Sequence, residues 1–175
     1  MKRLFTIFAA ALLAAGIASA QDVETYNTAV ETFNNGAMAL QEDNKTEALA
    51  QFKEALNLFQ KCEGDEALEM VSKCKEVIPS THLAIAKDLI NNQDFDAAVA
   101  ALKEAAAVAK EYGAEEVALD AENLVPETLY RKASALVKVK DFANAIPVLN
   151  DVVAADSTNG QAYLYLGQAL LSTGS

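Results

Sequence analysis

The sequence predicts an all-α protein, and three observations support this. Beyond residue 20 it consists mainly of good helix formers, above all Ala, and turn-forming residues are confined to a few short places. Between those places apolar residues recur every three or four positions, as in Leu49, Phe52, Leu56 and Phe59. No stretch alternates apolar and polar residues long enough to indicate a strand. We therefore expect helices joined by turns, and no sheet.

The predicted turns are rich in Gly, Asn, Asp and Ser. They lie at 42–44, 63–65, 91–93, 112–113, 140–141 and 156–160. Thr46, Asp94 and Asp141 stand at or near predicted helix starts, where a side-chain oxygen can accept a hydrogen bond from an otherwise unpaired amide.

The first 20 residues have the pattern of a cleavable signal peptide. Lys2 and Arg3 precede an uncharged apolar stretch that ends at Ile17, and small residues follow up to Ala20. The stretch is shorter than the ~20 residues that span a bilayer, so the pattern favours a signal peptide over a membrane anchor. We expect cleavage after Ala20 and a periplasmic or secreted mature protein.

Length and charge limit what the mature chain can be. Removing 20 of 175 residues leaves 155, the size of one domain. The full chain has 14 basic and 25 acidic residues, and the signal peptide holds two of the basic ones, so the mature net charge is −13. Such acidity argues against binding to nucleic acid or to anionic lipid surfaces, because both need clustered Lys and Arg.

An internal repeat follows the predicted turns. Three segments align, starting at Asn44, Asp94 and Asp141, and each has a small residue four positions before a large apolar one, a spacing that lets two helices approach closely. The small residues are Ala48, Ala98 and Ala145, and the large ones are Phe52, Leu102 and Leu149. Twelve positions before the small residues stand further small ones, Gly36, Ala86 and Ala133.

These segments resemble the second helix of the tetratricopeptide repeat (TPR), with Phe95 and Phe142 in the aromatic position before that helix. Near the C-terminus Tyr163, Leu166, Gly167 and Leu170 resemble the motif's first helix. The resemblance implies an α-α superhelix of TPR-type helical hairpins over residues 21–175. It further implies three repeats plus the first helix of a fourth, in a chain that continues beyond this sequence.

The repeat period departs from the family's standard. Pro126 and Gly160 are 34 residues apart, the standard period, whereas Pro79 precedes Pro126 by 47 and Ala29 precedes Pro79 by 50. The extra residues, at 61–78 and 110–125, have amphipathic helical spacing. Each first helix is therefore either elongated and kinked at its Pro or preceded by a separate short helix, and we favour elongated first helices. HEAT-type repeats share the longer period but do not explain the Ala and Phe pattern.

The resemblance implies a non-enzymatic protein–protein interaction scaffold of the bacterial cell envelope, which binds a peptide or protein in a concave groove lined by first helices. The family's groove positions correspond to Phe33, Ala37, Leu40, Leu83, Lys87, Asn91, Tyr130, Ser134, Lys138, Leu164 and Gln168. Such a groove suits an extended or helical peptide with an apolar face and a carboxylate. The competing interpretation places its apolar members in the core. A glycan or cell-wall recognition module is an alternative that the absence of Trp weakens, and the repeat portion of a larger protein with a missing C-terminal domain is another.

Little in the sequence favours catalysis. The only His, His82, falls at a position that is normally part of the core, and no second His could complete a metal site. Since no strand precedes a Gly-rich loop, a phosphate loop is not expected either. We therefore predict no enzymatic activity, no cofactor and no metal.

Two further expectations concern the cysteines and the last helix. Within one helical hairpin Cys62 and Cys74 would be displaced by about 12 Å, so the sequence favours two reduced thiols over a disulfide. The last helix is apolar nearly all round, which predicts self-association through its uncovered surface.

Overall fold

The computed structural model describes residues 20–174, and these residues form helices joined by short turns, with no strand in that range. The predicted all-α class is confirmed. Residues 1–19 of the predicted signal peptide lie outside the described residues. The helices between residues 20 and 174 are α1 (Ala20–Gln41), α2 (Lys45–Phe59), α3 (Asp65–Asn91), α4 (Phe95–Glu111), α5 (Glu115–Lys138), α6 (Phe142–Ala155) and α7 (Gly160–Thr173).

The turns that join α1 to α2, α3 to α4 and α5 to α6 share one backbone geometry. Each contains a residue with φ near +61° (Asp43, Gln93 or Lys140) directly before the next helix's capping residue. That capping residue's amide donates to a carbonyl five positions earlier, as in Asn44 to Ala39, which is the Schellman ending of a helix. The repeat seen in the sequence therefore extends to the backbone conformation of the turns.

Side-chain caps begin the helices that follow these turns. Asn44, Asp94 and Asp141 each accept a hydrogen bond from the amide three residues on, at 3.2, 3.3 and 3.4 Å. For α2 the cap is thus Asn44 rather than Thr46, because Thr46 already lies within the helix. Ala114, before α5, has nearly the same backbone angles but no side-chain cap.

The long first helices are confirmed. α3 is continuous over 27 residues with Pro79 inside it, and α5 over 24 residues with Pro126 inside it. A separate short helix before each Pro is therefore wrong. Two residues after each Pro a buried Thr donates to the carbonyl four positions earlier, Thr81 to Val77 and Thr128 to Leu124, both at 2.7 Å.

The described residues divide into two compact units, one that ends at His82 and one that begins at Leu83, and the boundary falls within α3. In the first unit α1 packs against α2 through aromatic side chains. The rings of Phe33 and Phe52 lie 5.1 Å apart between centroids, and those of Tyr26 and Phe59 meet edge to face at 5.6 Å. Such pairs stabilise a helix contact beyond the area that they bury.

The second unit contains two apolar clusters. The first joins the end of α3 to α4 and the start of α5, with Leu83, Ala86 and Leu102 among its buried members. The second joins the end of α5 to α6 and α7. Leu149 is completely buried there, Ala162 and Ala169 are the buried members from α7, and Tyr165 and Leu166 of α7 pack against it. Mostly small residues at the contacts allow these helices to approach closely.

The small and large positions of the repeat occupy equivalent surroundings. Ala48, Ala98 and Ala145 are completely buried, and the large residues four positions later are at most 1% exposed. Gly36, Ala86 and Ala133 are buried as well. The pattern on which the repeat was predicted therefore marks real contact layers in successive hairpins.

Candidate peptide-binding surface

Three apolar or small positions recur on one face of α1, α3, α5 and α7. We call them the contact triad: an apolar residue, a small residue three positions later, and another apolar residue four positions after that. The triads are Phe33, Gly36 and Leu40 in α1; Leu83, Ala86 and Ile90 in α3; Tyr130, Ala133 and Val137 in α5; and Leu164, Gly167 and Leu171 in α7. The spacing of three and four places the members of each triad on one helix face.

In the first unit the predicted groove positions lie partly in this contact. Phe33 is 3% exposed because its ring packs against Phe52 of α2. Ala37 is half-buried, and Leu40 is 38% exposed. Phe33 thus belongs to the hydrophobic core of the α1–α2 hairpin.

In the second unit the predicted positions on α3 divide in the same way. Leu83, 6% exposed, is part of the buried cluster with Leu102. Lys87 and Asn91, one and two helical turns further on, are exposed to solvent. Only these two polar side chains of the α3 set can meet a ligand directly in this conformation.

The predicted positions on α5 meet α7 through an aromatic contact. The rings of Tyr130 and Tyr165 are nearly parallel, with an interplanar angle of 10° and centroids 6.2 Å apart. Burial raises the pKa of Tyr130 most, and the charge of the neighbouring Tyr165 raises that pKa further. The stacking holds the two rings against each other.

Polar side chains flank this pair on both helices. Along α5, Ser134 is half-buried and Lys138 exposed, one and two turns after Tyr130. On α7 the exposed Gln161 and Gln168 lie one turn before and after Tyr165. We call this set, Tyr130, Ser134, Lys138, Gln161, Tyr165 and Gln168, the α5–α7 face.

Sequence reasoning missed Tyr165 and Gln161 as members of this face. Tyr165 lies between Leu164 and Leu166 in an aromatic and apolar run, so nothing local separates it from a core residue. Its pairing with Tyr130 depends on the packing of α7 beside α5, which is a tertiary contact. The spacing of Gln161, Tyr165 and Gln168 was the only signal of a common helix face.

The remaining candidates for chemistry lie apart from this face. His82 is 6% exposed and packed, as the sequence predicts. Both thiols are free, Cys74 buried and Cys62 half-buried, and burial raises the pKa of Cys74 to about 12. Within residues 20–174 no three His, Cys, Asp or Glu side chains are grouped so as to hold a metal ion. Nor does any helix in that range have the length and apolar character needed to cross a membrane.

Comparison with known proteins finds no matching family model and no similar curated protein. One similar solved structure is the C-terminal TPR-containing domain of a protein from Plasmodium falciparum described as FK506-binding. The identity is 16% and the TM-score 0.30, over 87% of this chain and 93% of that one. No function is carried over at such a distance. The likeness of its hairpins to tetratricopeptide repeats rests on the repeated turns, caps and contact triads of the chain itself.

Proposed function

We propose that the protein is a non-enzymatic interaction scaffold that binds a peptide segment of another protein on the α5–α7 face. The observation that carries this proposal is the stacked pair Tyr130 and Tyr165, which is flanked by accessible polar side chains. Aromatic rings held in place offer a large contact area at a low cost in conformational entropy, and for this reason Tyr is common where proteins bind one another.

The chemistry of the face defines the ligand. Ser134, Gln161 and Gln168 can each donate and accept hydrogen bonds, as a peptide backbone requires. Lys138 adds a positive charge at one end of the α5 stripe, and Lys87 adds another on the exposed side of α3. These lysines give the face a local positive charge within a chain of net charge −11, and at that point they favour a peptide carboxylate over a basic side chain.

A peptide library with free C-termini tests the proposal. Binding of selected peptides is measured by fluorescence anisotropy for the wild type, for Tyr130→Ala and for Lys138→Ala, with Lys103→Ala on an exposed part of α4 as the matched control. We expect at least a tenfold loss of affinity for Tyr130→Ala and a smaller, salt-dependent loss for Lys138→Ala. The control should bind as the wild type does.

Tyr130→Phe separates binding from folding, because it keeps the ring and removes only the hydroxyl. A folded Tyr130→Ala protein that binds every selected peptide with unchanged affinity would contradict the proposal. Binding of oligosaccharides instead of peptides, lost in the same variants, would favour the glycan-recognition alternative.

We further propose that the protein acts in the bacterial cell envelope, which the signal-peptide pattern of residues 1–20 supports. N-terminal sequencing of the protein recovered from a periplasmic extract checks this location, and we expect the first residue to be Gln21. Recovery only from the cytoplasm with an intact N-terminus would contradict it.

A further inference from the structure

The turn between α1 and α2 contains the tripeptide Asn44, Lys45, Thr46. Asn followed two positions later by Thr, with a residue other than Pro between them, is the acceptor pattern for an oligosaccharide in secreted proteins. Among the Asn residues of the chain, only Asn44 has Ser or Thr at that position. A three-residue pattern often occurs by chance, so the accessibility and the chemistry of the turn decide whether it can be a site.

The turn presents the acceptor pattern to solvent. Asn44 and Thr46 are exposed, and so are Glu42 and Asp43 before them. Asp43 has a φ of +61°, which turns the chain sharply at the end of α1. An enzyme can therefore reach Asn44 from outside while α1 and α2 stay folded.

The helix cap that Asn44 forms leaves the reactive atom of its amide available. The Oδ1 atom of Asn44 accepts a hydrogen bond from the backbone amide of Glu47 at 3.2 Å, and this bond caps α2. The nitrogen Nδ2, which would carry a sugar, takes no part in that bond. A sugar on Nδ2 leaves Oδ1 as an acceptor, so the modified residue can still cap the helix.

The equivalent turns of the next two hairpins have the same cap without the acceptor pattern. Asp94 and Asp141 stand at the position of Asn44, and each accepts a hydrogen bond from the amide three residues on, at 3.3 and 3.4 Å. Two positions later these turns have Asp96 and Ala143 rather than Thr. Asn and Asp cap helices about equally well, so capping does not explain why the first of these turns has Asn. What Asn adds is an amide nitrogen.

We infer that Asn44 is a site of N-linked glycosylation, an inference that rests on the envelope location proposed above. The donor is an oligosaccharide carried on a lipid diphosphate, and a transferase of the envelope catalyses its transfer. A bond forms between Nδ2 of Asn44 and the anomeric carbon of the first sugar, while the bond from that carbon to the diphosphate oxygen breaks. The lipid diphosphate leaves with the bonding electrons, and Nδ2 gives up one proton to a base of the transferase.

Mass spectrometry of the protein recovered from a periplasmic extract of its native cells tests the site. We expect the intact mass to exceed that of the polypeptide by whole sugar residues, and fragmentation to place the sugars on Asn44. Asn44→Asp and Thr46→Ala should lack the added mass completely. Thr46→Ser should retain it because it keeps the hydroxyl group, and Asn57→Gln, at an exposed position of α2, should retain it as the matched control.

Asn44→Asp separates the modification from folding, because it reproduces the Asp caps that begin α4 and α6. Circular dichroism should show this variant folded, with the unfolding temperature of the unmodified wild type. The variant should also bind the selected peptides on the α5–α7 face as the wild type does, so the proposed function is tested separately.

Two results would overturn the inference: an exported protein that begins at Gln21 and has no added mass, or added mass that persists in Asn44→Asp. Both leave the proposed location and the proposed peptide binding standing. A protein that still carries residues 1–20 and has no added mass would contradict the proposed location together with this site.

Discussion

The α1–α2 hairpin and α7 carry the same contact triad in opposite states. In α1, Phe33 is 3% exposed and Gly36 is closed off by Phe52, whereas in α7 Leu164 is 64% exposed and Gly167 faces open space. The two helices are alike in the spacing of apolar and small residues. Such spacing therefore defines which face of a helix makes a contact, whereas burial of that face depends on whether another helix packs on it.

The largest expected difference between the two regions is the effect of truncating a large side chain. Phe52→Ala should lower the free energy of unfolding by about 3–5 kcal/mol, because it leaves a cavity at a fully buried position. Leu171→Ala in α7 should change it by less than about 0.5 kcal/mol, since that side chain already meets water. Urea unfolding followed by circular dichroism measures both, and equal losses would refute the comparison.

Adding one methyl group at Gly36 and at Gly167 sharpens the comparison between α1 and α7. Gly36→Ala should destabilise the protein by about 1–3 kcal/mol, because the new Cβ would lie too close to the ring of Phe52. Gly167→Ala should instead stabilise it by about 0.5–1 kcal/mol, as Ala is the better helix former and has free space there.

A double-mutant cycle checks that the cost at Gly36 comes from the aromatic ring. Combined with Phe52→Leu, Gly36→Ala should lose most of its destabilising effect, because the pair then resembles Ala86 and Leu102. Additive effects of the two substitutions would show that some other contact of Gly36 is responsible.

The pH dependence of stability should report on the first unit, which holds both cysteines. Burial raises the pKa of Cys74 from 9.0 to about 12, so the folded protein keeps a proton that the unfolded chain releases. The contribution of the protonated Cys74 thiol to the free energy of unfolding is complete below pH 9 and is lost as the pH rises towards 12. Between pH 9 and 10 we expect a loss of about 1 kcal/mol in the wild type that is absent in Cys74→Ala, measured by urea unfolding. Parallel curves for the two proteins would contradict the burial of this thiol.

The smallest expected effect lies in the turns, where backbone strain can be compared directly. Lys140 has φ of +61°, which costs a side-chain-bearing residue energy, whereas Gly113 at the end of α4 has φ of +75° without such a cost. Lys140→Gly should therefore stabilise the protein by about 0.5 kcal/mol, and Gly113→Ala should destabilise it by about 1 kcal/mol. The unfolding temperatures of the two variants should shift in opposite directions. Shifts in the same direction would show that the φ angle does not decide the sign of the change in stability.

Much of the fold could be predicted because its determinants are local. Helix formers, apolar spacing and turn residues act over a few residues each. The breaks predicted at 42–44, 91–93 and 140–141 lie within one residue of the observed turns at 42–44, 92–94 and 139–141. The continuous helices through Pro79 and Pro126 were only one of two options. Loss of an amide donor weakens a helix, but packing on neighbouring helices decides whether it continues.

The candidate surface was less predictable, for a related reason. Phe33 and Leu83 have the sequence positions of groove residues, yet each lies in a core because the contact triad turns towards the second helix. The sequence neighbours of Tyr165 do not distinguish it from a core residue. It joins the α5–α7 face only because α7 packs beside α5 and brings its ring against that of Tyr130. For the exposed groove positions, such as Lys87 and Gln168, a role in peptide binding stays a prediction.

The helical class, the register of the repeat and the contact face of each first helix could be read from the amino-acid sequence, since all three follow from the spacing of side chains along one helix. Tertiary structure alone decided which of those faces are buried and which side chains from different helices meet, as with Tyr130 and Tyr165. Burial and pairing depend on residues distant in the chain, and helical spacing contains no information about which distant residues will come into contact.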